Sequence, residues 1–157
     1  MDLGSLRNHL LAWARDELAS QERLAALLEA QEQATVAHDV RIVEEHTASI
    51  QAELGGAAGR AKRRETVVRA LAAHWNVAAT VLTLTSIAER LGPQGDAILE
   101  VRGDLRDTAA RVARQVRRLG RLLSVHRQLA RETIEILLTD EQGNPLHDAG
   151  TLVDAEV

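Results

Sequence analysis

Between Asp96 and Leu138 the sequence carries a row of mostly apolar positions: Val101, Leu105, Thr108, Val112, Val116, Leu119, Leu123, His126, Ala130, Thr133 and Leu137. Steps of three or four residues keep such a row on one stripe of a helix. A helix over this whole stretch would run about 65 Å at 1.5 Å rise per residue, too long for a compact globule. A stripe of that length is not left bare in water, so other helices are expected to lie along it.

The rest of the chain supplies them. A first helix is expected from Gly4 to Ala37, with Leu6, Leu10, Trp13, Leu18, Leu24, Leu27 and Leu28 on its inner face and Arg15, Asp16, Glu22, Arg23, Glu29 and Glu32 outside. A tight turn near His38 follows, with Asp39 placed to cap the next helix. From Val40 the apolar steps continue to Trp75, interrupted by Gly55, Gly56 and Gly59. Each glycine costs roughly 0.5–1 kcal/mol in a helix interior. The alanines around them favour close approach of another backbone, so the stretch is read as one helix with a weak spot. Trp13 is expected to be mostly buried, against this second helix near Ala58–Ala61 or against the last helix. Residues Asn76 to Leu84 are rich in β-branched types and read as a connection. A short helix near Thr85–Leu91 follows, with Ser86 and Glu89, or Thr85, as its cap. Gly92-Pro93-Gln94-Gly95 ends it, and Asp96 is placed as N-cap of the last helix.

The fold expected is therefore all-α: an elongated antiparallel helical bundle or coiled coil of three long helices plus one short one. Residues 1–139 form a single helical domain. Residues 140–157, with Asp140, Glu141, Asp148, Asp154 and Glu156 and no Lys or Arg, form a flexible acidic tail.

Composition narrows the function. Phe and Tyr are absent and Trp13 and Trp75 are the only aromatics, which removes stacking platforms for bases. No cysteine is present, which removes disulfides, thiol catalysis and thiolate metal sites. The net charge is −4, so no global field favours nucleic acid. The start of the chain lacks a basic, then apolar, leader pattern, and no apolar run is long enough to span a bilayer. A soluble cytoplasmic protein is expected. His9, His38, His46, His74, His126 and His147 form none of the metal-binding spacings. No phosphate-cradling glycine loop occurs, and paired carboxylates such as Glu44 and Glu45 sit on a solvated face. No cofactor, metal or catalytic residue is expected. Arg111, Arg114, Arg117, Arg118, Arg121, Arg127 and Arg131 lie in a stretch without an acid. They are either a surface for nucleic acid or an acidic partner, or an outer face partly paired with acids of the first two helices, which the number of nearby acids favours.

His126 stands on the apolar stripe, where a polar group either fixes register or marks the place where the stripe becomes accessible. From there the sequence reads His126-Arg127-Gln128-Leu129-Ala130-Arg131-Glu132-Thr133-Ile134-Glu135-Ile136-Leu137-Leu138. This resembles the end of the FlgN family of flagellar type III export chaperones, which usually runs Asn-x-x-Leu-aliphatic-x-x-small-Leu-x-aromatic-Ile-x-x-Leu-Leu. Leu146-His147-Asp148-Ala149-Gly150 resembles the family's Tyr-Asp-x-x-Gly-like segment. Leu27 to Leu54 is similar to its first hairpin, and Leu82-Thr83-Leu84-Thr85-Ser86-Ile87-Ala88 to its Thr-Leu-Ser-x-Leu segment. His126 replaces the usual Asn, and His147 the usual Tyr, in a motif one residue short.

The resemblance implies a non-enzymatic cytoplasmic chaperone for flagellum biogenesis. It would bind the C-terminal helical segments of hook-associated proteins, keep them unassembled and deliver them to the export apparatus. The partner-binding residues it implies are Leu122, His126, Leu129, Ala130, Thr133, Ile134, Leu137, His147 and Asp148. Self-association is left open, and nucleic acid and a membrane span are not expected. The alternative is a structural or adaptor coiled-coil protein with no export role.

Overall fold

The computed structural model describes residues 2–138, with the side chains of residues 137 and 138 excepted. Among the described residues it is all-α: α1 (Leu3–Val36), α2 (Val40–Gly55), α3 (Ala57–Trp75), α4 (Leu84–Leu91) and α5 (Asp96–Leu138), with short 3-10 turns at Ala79–Val81 and Gly92–Gly95. The chain divides after Arg117 into two units, Met1–Arg117 and Arg118–Val157.

In the first unit, α1 starts on Asp2, whose carboxylate accepts from the Ser5 N–H at 2.7 Å. The expected turn is at His38, which takes φ 57, and Asp39 caps α2 by accepting from the Ile42 N–H at 3.1 Å. The return arm runs antiparallel to α1. Gln31 donates to Thr47 at 2.7 Å near the turn. Further from it, Ser20 donates to Glu53, Arg60 pairs with Glu17 at 2.8 Å and Arg63 with Asp16 at 2.5 Å.

The second arm is not one helix. It is interrupted at Gly56, which closes α2 and opens α3. Its N–H reaches back to the Glu53 carbonyl at 3.3 Å, a tighter turn than the α-helical i−4 bond. The reason expected for the glycines is also wrong. A Cβ built on Gly55 or Gly59 would meet nothing within 4 Å, so no neighbouring backbone requires them. They lower helix propensity there, and the interruption falls among them.

Across that break lies a cluster of charges. Glu53 receives Arg23 at 3.0 and 3.1 Å and Ser20, with Arg60 at 3.7 Å. The hydrogen bonds from Arg23 and Ser20, then the Arg23 and Arg60 charges, hold its carboxyl at about 2, well below 4.5. Burial works against this but loses.

The core sits at the other end of the bundle. Leu6, Leu10 and Leu11 of α1 meet Val68, Leu71 and Ala72 of α3, Leu82 of the connection, Ile87 and Ala88 of α4 and Ile98 of α5. Leu10, Leu71, Ile87 and Ile98 are fully buried. Burial of side chains of this kind contributes about 1.5–3 kcal/mol each. α2 holds no fully buried residue, and at the hairpin tip the buried side chains come from α1, among them Leu28 and Ala34. Beyond the core, Ala109, Val112 and Ala113 of α5 line one cavity of about 250 Å³ with Ser20 and Leu24 of α1 and Leu54 and Ala57 of the second arm.

Two further expectations are adjusted, the caps of the last two helices. Trp13 is mostly covered and packs against the core, as expected. It lines a depression with Gly59, Thr66 and Val67 of α3, and the Arg64 guanidinium lies 5.6 Å from its ring centroid, while Ala58 and Ala61 are exposed. The short helix is capped by Thr83, which forms a reciprocal box with Ser86. Asp96 has helical dihedrals and belongs to the first turn of α5, where its charge complements the helix dipole. The tight 3-10 link before it needs Gly95, since a Cβ there would lie 2.2 Å from the Ala88 carbonyl oxygen.

Candidate functional site

The segment from Arg118 to Leu138 is helical throughout. Its sequence favours this: Leu, Arg, Gln, Glu and Ala dominate, and Gly120 is its one glycine. Local bonds add to it. Gln128 donates to Glu132 at 2.9 Å, and the Thr133 hydroxyl returns to the Leu129 carbonyl at 2.8 Å. That bond turns Thr133 toward its own backbone, leaving its methyl group as the apolar contribution.

Accessibility rises along the segment. Leu119 is buried, and Leu122 and His126 are half-buried. Leu129 and Ile134 are each 55% exposed, and Ala130 and Thr133 are exposed. Steps of four, three, four and three bring Leu122, His126, Leu129, Thr133 and Ile136 into one band, with Ala130 and Ile134 on its flank. The structure thus gathers six of the expected residues, Leu122, His126, Leu129, Ala130, Thr133 and Ile134, on one helical surface. Leu137 belongs to α5, with its side chain outside the described residues. His147 and Asp148 lie outside the described residues altogether.

Three apolar residues absent from the expected set share this surface: Leu123 at 41% exposure, Val125 at 53% and Ile136 at 73%. Leu123 was legible as a stripe position. Val125 and Ile136 were not, because they sit off the main stripe. Their signal is a second row, Val125, Leu129 and Ile136, at steps of four and seven. Scattered exposed apolar residues are ordinary, but a contiguous run rimmed by polar groups marks an interaction surface.

Most of the α5 arginines are exposed. Arg111, Arg114, Arg117, Arg121, Arg127 and Arg131 form no ion pair among the described residues. Within the first unit, Asp16 and Glu17 pair with Arg63 and Arg60 of α3, and Glu53 with Arg23 and Arg60. Among the described residues no group of three His, Cys, Asp or Glu side chains could hold a metal, and no helix is long and apolar enough to cross a membrane.

Apolar side chains exposed over several turns of a helix are the pattern that helix-in-groove recognition uses. The family model described as FlgN protein matches residues 1–148, and the chain belongs to that family, the flagellar export chaperones. Neither a curated protein nor a solved structure matches it.

Proposed function

We propose that this chaperone works in the cytoplasm, binding the C-terminal helical segment of a flagellar hook-associated protein along the distal part of α5. Leu122, His126, Leu129, Ala130, Thr133, Ile134 and Leu137 form the seat, and the segment containing His147 and Asp148, in the tail from residue 140, adds to it. The bound helix covers apolar side chains that would otherwise drive premature assembly. The complex then passes the subunit to the type III export apparatus, without catalysis by this chain.

The observation that carries this is the run of exposed apolar side chains from Leu123 to Ile136. Helix-in-groove recognition reads such anchors at three- and four-residue steps. Family membership supplies the biological setting.

Calorimetry against synthetic C-terminal segments of hook-associated proteins tests it. Leu129→Arg and Ile134→Arg each weaken binding by about tenfold or more, since an arginine at an apolar anchor leaves a charge desolvated. Circular dichroism should show helicity retained. Full-strength binding by both variants would move the site to another surface, and loss of binding together with helicity would identify the two residues as core.

A further inference from the structure

We infer that the helix received by the distal segment has acidic side chains bordering its apolar stripe, and that Arg121, Arg127 and Arg131 pair with them. This rests on the cargo-binding reading above and adds the chemistry that selects the partner. From Thr108 to Arg131 the sequence has no acid. Arg127 and Arg131 follow Leu123 by one and two turns and precede Ile134, so they border one edge of the apolar surface. Arg121 stands one turn before Val125 and two before Leu129, at the head of the other edge. All three side chains are exposed, and none forms an ion pair among the described residues. In the first unit, by contrast, Arg23, Arg60 and Arg63 each meet an acid from another helix.

Charges that flank an apolar seam are the positions that set partner choice and orientation when two helices pair. Cations on both edges, none of the three in an ion pair among the described residues, attract a helix with Asp or Glu beside its apolar row. They repel one with Lys or Arg there, and that repulsion is itself a source of specificity. Exposed pairs of this type act through partner selection and association rate more than through depth of binding, and salt screens them.

The test uses the full chain and synthetic C-terminal segments of hook-associated proteins, titrated at low and high sodium chloride. Affinity should fall about tenfold as the salt rises above the point where the Debye length drops below ~10 Å. The triple variant Arg121→Glu, Arg127→Glu, Arg131→Glu should lose about tenfold at low salt with its circular dichroism unchanged. A peptide whose flanking acids are replaced by Lys should bind the triple variant better than the wild type. Tight binding indifferent to salt and to the triple reversal, yet abolished by Leu129→Arg, would overturn the charge selection while leaving the cargo seat in place. No binding of any segment by the wild type would remove the cargo seat and this inference with it. Tighter binding by a chain ending at Thr139 would assign the arginines to the chain's own acidic tail and overturn the inference.

Discussion

The first unit and the distal part of α5 are made of the same materials. Both use leucine, valine, isoleucine and alanine at three- and four-residue steps, and both carry abundant arginine. Their fates differ. In the first unit Leu10, Leu71, Ile87 and Ile98 are fully buried, and Arg60, its side chain only 12% exposed, is held by Glu17 and Glu53. In the distal segment Val125, Leu129, Ile134 and Ile136 are more than half exposed. Burial in the first case stabilises the fold. Exposure in the second leaves that free energy unrealised in the chain alone, and on the proposed reading a partner helix recovers it by excluding the water.

That contrast breaks most severely if the two sets of residues can be exchanged in effect. Leu71→Ala or Ile87→Ala removes a fully buried aliphatic side chain and should cost about 2–5 kcal/mol. For a chain of this size that is a fall in melting temperature of roughly 4–20 °C, read by thermal denaturation. Leu129→Ala, in the same assay, should stay within about 0.5 kcal/mol of wild type, as surface changes do. A large loss for Leu129→Ala would place it in a core and end its assignment to a partner.

The next effect in size is on binding. If residues 140–157 take part in the proposed seat, a chain ending at Thr139 should bind the hook-associated segment several-fold more weakly than the full chain. The same truncation should leave the melting temperature of the first unit unchanged. Equal calorimetric affinity for the two chains would confine the site to α5.

The charge cluster at the α2–α3 break gives a pH test of the first unit alone. The folded carboxyl of Glu53 is held at about 2 against an ordinary 4.5. A depressed carboxylate contributes stability that is complete above its unfolded value and is lost as pH falls through the folded one. The contribution is therefore present at neutral pH and disappears between about 4.5 and 2. Glu53→Gln should lower stability at pH 7 by on the order of 1 kcal/mol, given the screening of a partner as open as Arg23. The variant and wild type should converge near pH 2. Denaturation at a series of pH values checks this, and parallel curves would exclude Glu53 as the titrating group.

Much of this architecture was readable in advance, and the failures have physical causes. The limits of α5, the turn at His38 and the cap at Asp39 follow from periodicity and side-chain chemistry, which are local. The cap at Thr83 was misplaced because Thr83, Thr85 and Ser86 offer competing hydroxyls within four residues, and tertiary placement chooses among them. Periodicity gives the direction a side chain faces, not how much structure stands over it. For the same reason the row containing Val125 and Ile136 was missed. A stripe drawn on the assumption that it must be covered counts only the residues that fit a single seam, and nothing local says where cover ends.

The glycines of the second arm yield the smallest and sharpest of these tests. Gly55 is the last residue of α2, it is exposed, and a Cβ there would meet nothing within 4 Å. Gly59 lies inside α3 with the same open surroundings. Neither takes a positive φ, so alanine fits both without strain. Replacing such a glycine reduces the freedom of the unfolded chain and should stabilise by about 0.4–1 kcal/mol. Gly55→Ala and Gly59→Ala should each raise the melting temperature by roughly 1–4 °C and, lying outside the distal segment, leave peptide affinity unchanged. Gly56→Ala separates two causes of the break. Its Cβ would sit 2.7 Å from the Arg60 guanidinium, which must move and thereby loosen its hold on Glu53 and Glu17. If low helix propensity alone makes the kink, Gly56→Ala stabilises like its neighbours. If the Arg60 pairs depend on the kink, Gly56→Ala destabilises while Gly55→Ala and Gly59→Ala still stabilise. The second pattern is the expected one, because Arg60 is the least exposed charged group in the cluster and its two acids come from different helices. Loss of stability in all three variants would mean that the glycines serve a close approach after all.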